Sequence, residues 1–202
     1  MINTKKRKER DIQINENLYG ISCVYGLPIS SVLEKDIKQV LKKVNECAET
    51  FNVQENWMNV HSTLVRCKGM KEFNQNFCDL ICFYDYIFNN FSGFDIYGFI
   101  PSIGEDGAVR FLLDSNFLSA ETIFRFNQAS AKYQFDFLRL PSKIWINAGE
   151  LYDIKDRNKL LEIIKYKKLE QVQHVSEVKL VFFKDIKFRN ITIIKKYTEK
   201  VP

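Results

Sequence analysis

Met58-Asn59-Val60-His61-Ser62-Thr63-Leu64-Val65-Arg66 is the stretch that decides the fold. It has a period of two, placing Val60, Ser62 and Leu64 on one face of an extended chain and Asn59, His61, Thr63 and Val65 on the other. His61 and Thr63 therefore point the same way, with Arg66 at the end of the strand. An imidazole near its ordinary pKa can move a proton at neutral pH, and a threonine hydroxyl two residues on can donate to a phosphoryl oxygen. Taken alone the pattern is weak, because a lone histidine on a strand more often plays a structural part. Its weight comes from what surrounds it.

On the N-terminal side, Leu18 to Tyr25 alternates and stops at Gly26-Leu27-Pro28, as a strand closed by a breaker does. Ser30 or Ser31 can cap a helix in which Leu33, Ile37, Val40, Leu41, Val44, Ala48 and Phe51 recur at helical spacing. On the C-terminal side, Phe73, Phe77, Leu80, Ile81, Tyr84, Ile87 and Phe88 trace a second amphipathic helix ended by Asn89-Asn90 and Ser92-Gly93. Two strands follow, Phe94 to Ile100 and Ala108 to Asp114, joined by a turn holding Gly104-Glu105-Asp106-Gly107. The pattern then predicts a helix over about Ser119 to Tyr133, a strand around Lys143 to Gly149, a helix over about Lys155 to Leu169, and a closing hairpin of Glu177–Phe183 and Phe188–Tyr197.

The β-α-β-α unit thus occurs twice, which predicts an α+β fold of two pseudo-symmetric β-α-β-α lobes with antiparallel sheets facing a central cleft. Residues 17–202 make one bilobal domain behind a basic N-terminal tail of residues 1–16. The chain has 202 residues, with 46% apolar and 27% charged, enough to build one core. Its net charge of +5 is concentrated at one end, where Lys5, Lys6, Arg7, Lys8 and Arg10 are opposed within the first ten residues only by Glu9. A nonspecific polyanion contact through that tail is the expectation, with a near-neutral body behind it.

No apolar region follows the basic start, and no apolar run has the roughly 20 residues that cross a bilayer, so an intracellular, cytoplasmic protein without a membrane contact is expected. The five cysteines, Cys23, Cys47, Cys67, Cys78 and Cys82, are scattered and mostly flanked by apolar residues, which reads as reduced thiols packed in the core. They lack zinc-ligand spacing, and neither a metal nor a cofactor is expected. Gly104-x-x-Gly107 reads as a turn rather than a phosphate loop, and Phe124, Phe126, Phe135 and Phe137 read as core rather than as a base-stacking platform.

In its element order the chain resembles the 2H phosphoesterase superfamily. The resemblance is carried by Leu18–Tyr25, by Asn59-Val60-His61-Ser62-Thr63-Leu64 and by Val175-Ser176-Glu177-Val178-Lys179-Leu180. It implies chemistry like that of RNA 2′,3′-cyclic phosphodiesterases and 2′-5′ RNA ligase-like proteins. Such proteins carry two His-x-Thr/Ser motifs, one per lobe, whose imidazoles act as base and acid on opposite sides of a phosphate. His61 and Thr63 would be the first pair.

In the equivalent strand, Lys143-Ile144-Trp145-Ile146-Asn147-Ala148-Gly149, Trp145 and Asn147 occupy the second pair's positions. Substrate-binding roles are then expected for Arg66, Trp145 and Asn147, with Trp145 stacking on a base and Asn147 bonding a phosphate. His174-Val175-Ser176 copies the motif in letters, but too few residues follow it for the helix and hairpin that come after the family's second motif.

The expected function is binding of a phosphorylated nucleotide or RNA end, whether a 2′,3′-cyclic phosphate, a 2′-5′ linkage or a cyclic nucleotide, with weak or no turnover. One alternative is an active cyclic phosphodiesterase that pairs His61 with a second group such as His174. The other is a structural or protein-interaction module on the same fold.

Overall fold

The computed structural model describes residues 20–47, 51–53, 57–67, 77–104, 108–135, 137–151, 165–184 and 190–200. The basic tail, including Lys5, Lys6, Arg7, Lys8 and Arg10, lies outside the described residues. In chain order the elements are β1 (Gly20–Gly26), α1 (Ser31–Cys47), β2 (Phe51–Val53), β3 (His61–Cys67), α2 (Phe77–Phe88), β4 (Phe94–Ile103), β5 (Ala108–Ser115), α3 (Ala120–Tyr133), β6 (Leu138–Arg139), β7 (Trp145–Leu151), β8 (Lys167–Val175), β9 (Glu177–Phe183) and β10 (Ile191–Thr198).

Each helix forms along one apolar stripe, and α1 and α3 each start at a serine cap. Ser30 starts α1, its Oγ accepting from the Leu33 N–H at 3.3 Å, and Leu33, Ile37, Leu41 and Val44 form its buried face. Ser119 caps α3 by accepting from the Thr122 N–H at 3.1 Å. Gln134, left-handed at φ 54°, ends that helix by donating its N–H to the Ser130 carbonyl at 2.9 Å. Leu80, Phe83, Tyr84, Ile87 and Phe88 give α2 its buried face, and Tyr84 donates its hydroxyl to the Ile21 carbonyl at 3.0 Å, tying α2 to β1.

The strands form an antiparallel sheet in the order β10-β9-β1-β3-β7-β5-β4-β8, with β2 on β7 and β6 on β3. Counted from the middle outward the order runs β3, β1, β9, β10 on one side and β7, β5, β4, β8 on the other. The described helices all pack into one core, which they share with Ile21, Cys23, Tyr25, Leu64, Ile96, Phe99, Phe111, Ile146, Val178 and Leu180 of the sheet. Because side chains alternate along a strand, the residues between these belong to the opposite face of the sheet. A separate small cluster of Val24, Val181 and Phe183 lies on that face. Fold class and architecture are α+β.

Five expectations need correction. The alternation read from Met58 begins only at His61, because Trp57–Asn59 form a single 3-10 turn ahead of β3. The stretch 155–169 reads as helix, yet Lys167–Val175 is strand β8, and 152–164 lie outside the described residues. Phe51 opens the short strand β2 instead of continuing α1, which ends at Cys47. Cys23 is buried as expected, but Cys78 and Cys82 are exposed on α2, because a helix that buries positions 80, 83, 84, 87 and 88 turns 78 and 82 outward. Phe126 and Phe135 are core, whereas Phe124 is 58% exposed.

Candidate functional site

β3 and β7 start beside each other and run in opposite directions, with Ser62 directly opposite Ile146. Antiparallel pairing then puts His61 across from Asn147 and Thr63 across from Trp145. Ser62 and Ile146 are both 0% exposed and face the helices, so His61, Thr63, Trp145 and Asn147 face the other way together. Four of the six residues singled out from sequence thus stand on one face at the middle of the sheet. Beyond this overlap β3 turns to β6, through Arg66 opposite Arg139, and β7 turns to β2, through Gly149 opposite Val53. Arg66 is the penultimate residue of β3, and its side chain lies outside those described.

His61 is held by its neighbours on the chain. Its Nδ1 lies 2.8 Å from the Asn59 carbonyl oxygen, which can only accept, so Nδ1 carries the hydrogen and Nε2 the lone pair. Burial pushes the imidazole pKa below its ordinary value, and the bond to Asn59 opposes this only in part. The ring is therefore neutral at pH 7, in the form that takes up a proton through Nε2. Thr63, on the same face, is partly buried and offers a hydroxyl.

The turn after β1 fixes the backbone under His61. Gly26 pairs with His61 and has φ +110°, and a Cβ there would come within 2.7 Å of the Val60 carbonyl oxygen and 3.0 Å of the His61 Cα. Only glycine tolerates both the conformation and the approach. Leu27 donates its N–H to that same Val60 carbonyl at 3.0 Å. Lys179 of β9 crosses from the other side, its Nζ donating to the Gly26 and Leu27 carbonyls at 2.9 and 2.7 Å. Burial lowers the pKa of Lys179, with Glu177 3.7 Å away acting in the opposite direction. In the sequence Gly26 reads only as a strand breaker and Lys179 only as a strand residue, because what they do for His61 depends on pairings across the sheet.

Beyond β7 the same face continues onto β5, where Arg110 pairs with Asn147 and Leu112 with Trp145. Sequence reasoning missed Arg110 too. Both β1 against β3 and β5 against β7 carry a register shift, between Cys23 and Val24 in one pair and between Val109 and Arg110 in the other. The first leaves Leu64 and the second leaves Ala148 as the extra residue, immediately after Thr63 in one case and Asn147 in the other.

His174 lies on β8, an outer strand of the sheet, with β7, β5 and β4 between it and β3. Its ring bonds two carboxylates, Nδ1 to Asp95 Oδ1 at 2.8 Å and Nε2 to Glu199 Oε2 at 2.7 Å. Glu199 first and Asp95 second raise its pKa. The structure does not bring His174 onto the His61 rung. Among the described residues no group of three or more His, Cys, Asp and Glu side chains is arranged to hold a metal, and no helix is long and apolar enough to cross a membrane.

No protein-family model matches the chain, and no curated protein matches it by sequence. Solved structures do match. Escherichia coli LigT in its apo form superposes with a TM-score of 0.61 at 14% identity, covering 92% of this chain and 100% of that one. LigT complexed with 3′-AMP gives 0.60 at 12% identity with the same coverage. TT0787 of Thermus thermophilus gives 0.59 at 12% identity, covering 88% of this chain and 96% of its own. LigT has also been crystallised with phosphate, with NADP+ and with ATP. At these identities what is shared is the fold, and the fold of this chain is that of LigT and TT0787.

Proposed function

We propose that the chain binds the phosphate of a nucleotide or an RNA end on the sheet face turned away from the helices, with weak or no turnover. The observation that carries this reading is the inequality of the two tripeptides that meet at the middle of the sheet. One offers a neutral imidazole with its Nε2 lone pair and a threonine hydroxyl, and the other offers Trp145 and Asn147. Phosphoester cleavage needs proton transfer at both the attacking and the leaving oxygen, and losing one positioned acid or base costs about a hundred- to ten-thousand-fold in rate. Binding needs neither transfer. Thr63 and Asn147 supply donors for phosphoryl oxygens, and Trp145 gives a base a surface to stack on. That LigT, on the same fold, has been crystallised with 3′-AMP and with phosphate supports the choice of ligand class.

Calorimetric titration with 3′-AMP, 2′,3′-cyclic AMP and inorganic phosphate, followed by product analysis, tests the reading. The wild type should bind nucleotide and return it unchanged. His61→Ala and Thr63→Ala should each weaken binding by about 0.5–3 kcal/mol, the range from a neutral to a charge-assisted hydrogen bond. Hydrolysis with a bell-shaped pH profile that His174→Ala abolishes would instead establish a second imidazole and an active phosphodiesterase. No binding of any of the three would leave an interaction module.

A further inference from the structure

Resting on the nucleotide-phosphate reading above, we infer that Arg110 is the residue that grips the phosphate, and that the ligand is a phosphomonoester terminus rather than a cyclic diester. Arg110 is the direct partner of Asn147 on β5, and Asn147 stands across from His61. Two strand spacings of about 4.8 Å separate the His61 and Arg110 backbones, so an imidazole and a long guanidinium side chain on one face can converge on a single phosphate between them. Their register is fixed twice over, since the shift between Val109 and Arg110 mirrors the shift between Cys23 and Val24. That correspondence sets Arg110 in the position that Val24 takes beside Thr63. In the half that keeps the imidazole this neighbour is a fully buried valine; in the half that has Trp145 in its place, it is a cation.

The chemistry of the two groups then selects the ligand. A guanidinium stays charged at every accessible pH and does not release its protons, so it cannot serve as the acid that cleavage needs. It can hold two phosphate oxygens at once through parallel N–H bonds. A cyclic diester has two non-bridging oxygens and one negative charge. A terminal monoester has three such oxygens and a charge of about −1.5 to −2 at pH 7, with its second ionisation near pH 6. Guanidinium, Thr63 hydroxyl and Asn147 amide together supply donors for three oxygens. A neutral His61 adds no charge of its own, so the guanidinium sets the preference for the more highly charged ligand.

Calorimetric titration of the full chain with 3′-AMP, 2′,3′-cyclic AMP and adenosine, at pH 7.5 and again at pH 5, tests this. The wild type should bind 3′-AMP about tenfold or more tighter than the cyclic nucleotide at pH 7.5, consistent with a charge-assisted contact. That gap should narrow at pH 5, where the monoester has lost its second charge. Arg110→Gln should erase the preference by weakening 3′-AMP far more than the cyclic nucleotide, and Arg110→Lys should restore part of it, with melting temperatures confirming that both variants fold.

If folded Arg110→Gln binds both nucleotides as the wild type does, or weakens both equally, the inference fails while the nucleotide reading stands. A wild type that binds none of the three ligands and no inorganic phosphate overturns both. A wild type that prefers the cyclic nucleotide overturns the monoester assignment alone.

Discussion

Gly26 shows how much of the site depends on a residue that carries no functional group. Its φ of +110° and the 2.7 Å approach to the Val60 carbonyl leave no room for a Cβ, and what would be displaced is the backbone that carries His61. Gly26→Ala should cost about 1–3 kcal/mol in urea unfolding, the range for a strained non-glycine residue. It should also weaken nucleotide binding beyond what the lost stability explains. A variant with wild-type stability would show that the turn relaxes easily.

His61 and Thr63 were legible because a period of two can be read from five consecutive residues. Arg110 was not, since a lone arginine in Ala108-Val109-Arg110-Phe111 looks like any solvent-facing residue of a strand. What makes it a neighbour of Asn147 is the pairing of β5 with β7, across more than thirty residues of chain. Local pattern reports which way a side chain faces and is silent on what stands next to it.

At the scale of elements, β8 is where sequence and structure part. Its stretch Lys167-Lys168-Leu169-Glu170-Gln171-Val172-Gln173-His174-Val175 buries only Leu169 and Val175, as suits a strand at the end of the sheet order. Lysine, glutamate and glutamine are good helix formers and poor strand formers, so propensity there favours a helix. Charged side chains on an outer strand also discourage pairing with other chains.

The strand is secured at both ends by polar contacts. Lys167 meets Asp36 of α1 at 2.8 Å, and His174 bridges Asp95 and Glu199. The His174 pKa is raised on folding, so its stabilisation is fully present below the unfolded value of about 6.5 and is lost as the pH rises through the folded value. His174→Gln should therefore lower stability at pH 5.5 and change it little at pH 9. With the ring 49% exposed, solvent screening keeps the effect within about 1 kcal/mol. Denaturation at the two pH values reads it, and an equal loss at both would mean that packing rather than charge holds the clasp.

At the scale of the molecule, charge is spread unevenly along the chain. The first ten residues hold most of the net charge, so deleting them should leave the melting temperature unchanged while reducing binding to a nonspecific polyanion and flattening its salt dependence. Measuring that slope for both chains decides it, and an unchanged slope would move the basic surface into the body. The fold itself persists at 12–14% identity to LigT, which is what alternation, caps and glycine turns can specify without preserving particular residues.

The short overlap of β3 and β7 has a mechanical consequence. Strands joined along many rungs behave as a plate, but these two, the innermost of the sheet, share the single rung of Ser62 and Ile146 before each turns to another partner. That rung is placed as a pin between two leaves would be, and the shared core beneath would limit any swing. Near a pin a small rotation moves atoms very little, and far from it the same rotation moves them by much more. The parts that would hold a phosphate sit at the pin, and whatever the phosphate is attached to would extend toward the leaves. On the proposed function, such a joint would be stiff toward the group common to every ligand and compliant toward the remainder, and would let one phosphate grip accept bodies of different size.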